Sequence, residues 1–219
     1  YVWISAFGQV NIFPNKNKKD NFDWYKTNAW GAVQKFETGF SRRALHIGDW
    51  NGDGKADIIG VDRASGMLTV WYSNWNGKEF NFKKEVQTAT NGRCNLGWGV
   101  LYHDTAHHFA DLDGNGKVDY ICVHKDGFMQ ATLNLDNNQL SYKGQIKYGE
   151  DLDRANFQFA DVNGDGLADI LHVDKFTGDA RVFYNQGPYI GDPTENSGSA
   201  WKWERPTAAY KGTSRGPNM

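Results

Sequence analysis

Short runs of β-branched and aromatic residues recur along the chain, separated by polar stretches that contain glycine. That pattern predicts strands joined by turns. Three five-residue runs, Asp57–Val61, Asp119–Val123 and Asp169–Val173, each lead into a turn carrying Gly66, Gly127 or Gly178. A second, alternating run follows at residues 67–72, 128–134 and 180–185. A further strand is predicted at Phe80–Val86, at residues 140–146 and at Trp201–Glu204, so each unit reads as a meander of antiparallel strands.

The units are copies of one another. The segments HIGDWNGDGKADIIGVD from His46, HFADLDGNGKVDYICVH from His108 and QFADVNGDGLADILHVD from Gln158 align without gaps. Their motifs start at Asp49, Asp111 and Asp161, so the units are 62 and 50 residues long. Four strands in about 50 residues is the size of a propeller blade. At the N-terminus, YVWISAFGQVNIFPN resembles DYICVHKDGFMQATLN from Asp119, and residues 22–30 can supply a last strand, but no acidic loop precedes Tyr1. After WKWERPTAAYKG the pattern calls for another FADxDGDG segment, which residues up to Met219 do not contain. The expectation is an all-β propeller of four-stranded antiparallel blades, with about three complete blades and one partial blade. In domain terms, residues 1–219 form one propeller or a segment of one: a partial blade at 1–35 and blades at about 40–90, 106–150 and 156–210.

Each loop reads D-x-[DN]-G-[DN]-G-x-x-D. Positions one, three, five and nine are Asp49, Asn51, Asp53 and Asp57 in the first loop and Asp111, Asp113, Asn115 and Asp119 in the second. In the third they are Asp161, Asn163, Asp165 and Asp169. Oxygen donors that alternate along a tight turn can converge on one hard cation, with position seven (Lys55, Lys117, Leu167) adding a backbone carbonyl. Six or more oxygens in adaptable geometry favour Ca²⁺ over Mg²⁺, and the absence of Cys and His from the donor set disfavours zinc. An EF-hand needs a bidentate Glu at position twelve, where this chain has Gly60, Cys122 and His172, and flanking helices in place of strands. The expectation is about three Ca²⁺ ions, one per loop, in a structural role: acids crowded into one turn repel one another without a cation.

Composition narrows the function. The net charge of −2 conceals nine acids concentrated in the loops, and three Ca²⁺ ions would bring it to +4, with no basic run. Nucleic acid is therefore not an expected partner. No apolar run approaches the roughly 18 residues of a membrane span, so no membrane insertion is expected. Tyr1 is preceded by no Met or leader, which suits a processed chain. Exposed loops of this type suit extracellular calcium, so a secreted, extracellular protein is expected. Cys94 and Cys122 can form one disulfide or remain two buried thiols, and spacing leaves both open. A G-x-S-x-G motif and a phosphate-binding glycine loop with its Lys-Ser/Thr are both missing.

With these motifs in place, the chain resembles the FG-GAP or VCBS repeat family, which includes the integrin α-subunit propeller. Within it, the chain most resembles sugar-binding fungal lectins of the Psathyrella velutina type. The resemblance implies a propeller fold and Ca²⁺ on the loop positions just named. It departs from the consensus at FETGF from Phe36, with no Gly-Ala-Pro before the loops, and in carrying fewer than seven blades. The expected function is carbohydrate binding, with glycans or glycoproteins as partners and self-association or a second chain to complete the propeller. Trp50, Trp75 and Trp98 are the candidate ligand-binding faces, since sugars need flat aromatic surfaces beside polar groups. Trp50 stands out because Leu112 and Val162 hold its place in the other loops. The alternatives are an accessory propeller of a secreted hydrolase, or an enzyme using His103, Asp104 and His107 in the insertion between the first two motifs.

Overall fold

The computed structural model describes residues 1–14, 34–76, 79–87, 92–99, 104–196, 198–204 and 210–212. Among these, the chain forms fifteen strands and no α-helix. Sheet 1 contains β1 (Val2–Ile4), β2 (Gln9–Ile12) and β3 (Gln34–Glu37). Sheet 2 contains β4 (Leu45–Gly48), β5 (Asp57–Val61), β6 (Leu68–Trp75) and β7 (Phe80–Val86). Sheet 3 runs through β8 (His107–Ala110), β9 (Asp119–Val123), β10 (Met129–Asn134) and β11 (Leu140–Lys147). Sheet 4 runs through β12 (Phe157–Ala160), β13 (Asp169–Val173), β14 (Ala180–Pro188) and β15 (Trp201–Glu204). Every pairing is antiparallel between neighbours in sequence, which is the meander of a propeller blade. Three sheets have four strands and one has three, as the repeats predicted, and the array is open.

Burial explains the apolar pattern strand by strand. All five residues of β5 and of β9 are buried, because the second strand of a sheet has neighbours on both faces and both sides. The outer strand β7 alternates half-buried and exposed positions, reflecting one solvated face. The third strand of sheet 1 is Gln34–Glu37, paired with β2, and not residues 22–30, which lie outside the described residues. Its half-polar QKFE sequence gave little apolar signal because an outer strand buries one face only.

The core is divided among three seams. Val10, Ile12, Ile58 and Trp71 close sheet 1 on sheet 2. Trp50, Ile59, Val70, Tyr120 and Cys122 belong to the seam of sheets 2 and 3. Leu112, Ile121, Met129, Ile170, Phe183 and Trp201 fill that of sheets 3 and 4. A Cys94–Cys122 disulfide ties the insertion to β9, resolving the alternative that spacing left open.

Candidate cation loops and an axial pocket

The acidic loops follow the innermost strands β4, β8 and β12, and the three are superimposable in their hydrogen bonds. In each, the first aspartate receives the backbone N–H groups of positions four, five and six. Asp49 accepts from Gly52, Asp53 and Gly54 at 2.7, 3.2 and 2.7 Å. Asp111 accepts from Gly114, Asn115 and Gly116 at 2.8, 3.2 and 2.8 Å. Asp161 accepts from Gly164, Asp165 and Gly166 at 2.7, 3.2 and 3.0 Å. That curl needs left-handed backbone at positions four and six, where φ lies between 75° and 88° in all three loops. Glycine meets this without strain.

The ninth-position aspartates have a second role that the sequence did not reveal. Asp57, Asp119 and Asp169 are fully buried. Asp119 accepts from Leu112 N–H and Asn134 N–H, each at 2.8 Å, bracing its loop against the end of β10. Asp57 does the same with Trp50 and Ser73, and Asp169 with Val162 and Asn185. Burial pushes the Asp119 carboxyl up to about 7, with Asp113 and Asp111 adding repulsion against the two N–H donors that favour its charge. Burial likewise raises Asp57 and Asp113. Lys55 holds Asp53 below the usual carboxylate range through a 2.9 Å ion pair.

One carboxylate oxygen from each of Asp111, Asp113 and Asp119 lies within 4.8 Å of the others. Three hard anionic donors at that separation, in a loop with a further amide oxygen at Asn115, suit a calcium-sized cation. A raised carboxyl with two acidic neighbours is the electrostatic condition that a divalent ion relieves.

At the opposite, starting ends of the same strands lies a half-open cavity of about 310 Å³. Its walls include His46, His108 and Gln158, the same repeat position in β4, β8 and β12, together with Arg42, Arg43, Leu45, Phe157 and Trp98. Trp98 reaches it from the insertion, which is pinned at several points. Gly99 N–H donates to Asp104 O at 2.7 Å, and Arg43 Nη1 donates to Gly99 O at 3.0 Å. Asp104 pairs with the buried Arg154. The Arg63 guanidinium lies 5.0 Å over the Trp98 ring.

The three candidate tryptophans are not brought together. Trp50 is 1% exposed and offers no ligand face, contrary to expectation. It is a plug between sheets 2 and 3, edge-on to Phe109 at 6.2 Å, as Leu112 is a plug between sheets 3 and 4. Trp75, partly exposed, packs on Phe80 at 4.8 Å beside a separate, almost wholly apolar cavity. Trp98 alone lines a pocket that also contains polar groups.

Of the proposed acid–base trio, His103 lies outside the described residues. His107 is fully buried with its Nδ1 3.0 Å from the Tyr120 hydroxyl, and Asp104 is engaged by Arg154. Burial draws His107 and His108 down to about 4 and His46 to about 3, so all three are neutral at pH 7. Mutual repulsion among the histidines and, for His107 and His108, the Arg154 charge act in the same direction.

Residues 111–172 match the family model of the FG-GAP-like repeat, so the chain carries this repeat over its second loop and into its third. No curated protein matches the chain. Among solved structures, the chain is similar to a lectin of Agrocybe aegerita, described as specifically recognising non-reducing terminal N-acetylglucosamine. The TM-score is 0.50 at 21% identity, over 85% of this chain and 44% of the lectin chain. The chain thus spans less than half of that lectin's length, and the two share a propeller-type fold.

Proposed function

We propose that the chain is a secreted, calcium-stabilised propeller module that binds carbohydrate, and that the axial pocket is where it does so. The observation that carries the reading is the composition of that pocket. A pyranose presents C–H faces and a rim of hydroxyls, and the cavity sets Trp98, Phe157 and Leu45 beside Arg42, Arg43, His108 and Gln158. At about 310 Å³ it falls at the small end of ligand sites, roughly 300–1,000 Å³, which suits one or two sugar rings. The likeness in fold to a lectin for terminal N-acetylglucosamine agrees with this ligand class.

Calcium belongs to the reading through the loops. The residues that would hold it are the oxygen donors of Asp49, Asn51, Asp53 and Asp57, of Asp111, Asp113, Asn115 and Asp119, and of Asp161, Asn163, Asp165 and Asp169, with the carbonyls of Lys55, Lys117 and Leu167. Ca²⁺ there supplies neutralising charge at the point where the first two strands of each sheet meet. The Cys94–Cys122 disulfide supports an oxidising, extracellular compartment.

The test is a broad glycan array that includes non-reducing terminal N-acetylglucosamine, read in calcium and again after chelation. Selective binding to a defined sugar in calcium is expected. Silence from protein shown to be folded would overturn the carbohydrate reading.

A further inference from the structure

We infer that the apolar cavity between sheets 1 and 2 is a docking site for an extended segment that runs into an Asp-apolar-[Asp/Asn]-Gly-[Asp/Asn]-Gly turn. The argument comes from the two neighbouring seams, where such a turn is already docked. Between sheets 2 and 3, Asp49 O accepts from Val118 N–H at 2.8 Å and Trp50 O from Asn134 Nδ2 at 2.6 Å, while the Trp50 ring fills the gap. Between sheets 3 and 4, Asp111 O accepts from Ala168 N–H at 2.7 Å and Leu112 O from Asn185 Nδ2 at 3.0 Å. Leu112 is 0% exposed. The loop of each sheet is thus a plug for the next.

Sheet 1 has no innermost strand, and among the described residues no loop reaches sheet 2 from that side. Sheet 2 nevertheless carries the full receptor. Ala56 stands where Val118 and Ala168 stand, and Ser73 where Asn134 and Asn185 stand, each accepting on its N–H from the ninth-position aspartate. Ile47, paired with Ile58, holds the place of Phe109, which is paired with Tyr120 and touches the Trp50 plug. At this seam those groups surround a cavity of about 480 Å³, lined also by Val2, Trp75, Phe80 and Phe82. Ile47 is 51% exposed.

The strand that leads into the turn has a place as well. β1 pairs on one side only, with β2, and its other edge is the edge to which an innermost strand would add. Main-chain pairing along β1, with one apolar side chain seated in the cavity, is β-augmentation with a single anchor. The occupant is defined by this chemistry: alternating apolar residues, then the acidic, glycine-bearing turn that the chain itself repeats three times. The surface is separate from the axial pocket, so its test stands whether or not the protein binds sugar.

A synthetic peptide of the sequence 107–118, HHFADLDGNGKV, contains neither Trp nor Tyr, so the protein's own Trp75 and Trp3 report on its binding. Titrated into the folded protein in calcium, it is expected to shift Trp emission saturably and to raise Tm with peptide concentration. The same peptide with Leu112→Asp should bind about tenfold more weakly or worse, and Ile47→Lys in the protein should have the same effect. Ile47 is exposed, so that variant is expected to keep its Tm without peptide. No saturation by ~1 mM peptide, a level corresponding to only about −4 kcal/mol of binding, would overturn the inference. Equal binding by the Leu112→Asp peptide or the Ile47→Lys protein would do so too. A dimer that Ile47→Lys dissociates and the peptide does not would instead assign the face to a second copy.

Discussion

At the finishing ends of the innermost strands the chain repeats one construction three times, with loop hydrogen bonds that agree to within 0.3 Å between copies. At the starting ends of the same strands the corresponding positions differ, His46, His108 and Gln158, and one of the three spacings carries an insertion that brings in Trp98. Repetition marks what every sheet needs in order to stand: a brace, a curl and a plug for its neighbour. Departure from repetition marks what only one place in the molecule does. Scaffold and recognition are therefore separated along the length of the same strands, and substitutions at the two ends should fail in different ways.

The largest effect is expected from Asp119→Ala. It strands the buried N–H groups of Leu112 and Asn134, and at roughly 1–3 kcal/mol for each orphaned donor the loss is about 2–6 kcal/mol in a urea melt. Next, the plugs separate a filled seam from an open end. Leu112→Ala should cost about 2–5 kcal/mol as a buried cavity, whereas Val162→Ala, at a site 38% exposed with no sheet beyond it, should cost less than about 1 kcal/mol. Equal losses would refute the plug assignment.

Calcium comes third. At about a hundred times its Kd, one bound ion stabilises by roughly 2.7 kcal/mol. Chelation should lower Tm, and replacing Asp49, Asp111 and Asp161 together by Ala should abolish the calcium dependence; a triple variant that still responds to calcium like the parent would remove the metal reading. The smallest stability effect is pH-dependent. The folded pKa values of His46, His107 and His108 lie below the ordinary 6.5, so the unfolded chain binds more protons in acid. Their contribution is complete above about 6.5 and falls as pH drops toward about 4 for His107 and His108 and about 3 for His46. Imidazole NMR shifts that stay at their neutral values down to pH 5 would bear out those positions, and titration near 6.5 would contradict them.

Much of the scaffold was legible. The second strands Asp57–Val61, Asp119–Val123 and Asp169–Val173 begin and end where the repeats placed them, because a buried strand between an acidic loop and a glycine turn has sharp chemical boundaries. The outer strand of sheet 1 was not legible, since QKFE buries one face and its polar residues mask it. Trp50 was misread for an instructive reason: it was compared with its neighbours as an aromatic exception, when the apolar Leu112 and Val162 at the same position were the sign of a buried plug. The bracing by Asn134 and Asn185 had a signal too, an asparagine closing the third strand in two repeats, but its partner lies across a seam that sequence spacing does not encode. The axial pocket was legible only in part: Trp98 could be singled out, while its company of Arg42, Arg43 and Gln158 arises from three strands converging.

The most direct test of the division between scaffold and recognition is the affinity of an array-selected sugar for two variants, measured by calorimetry in calcium. The account predicts that Trp98→Ala combined with Gln158→Ala weakens binding about tenfold or more while Trp75→Ala leaves it unchanged, all with folded, calcium-responsive melts. Full affinity in the Trp98 and Gln158 variant, or its loss in Trp75→Ala, would contradict the axial pocket as the site of recognition.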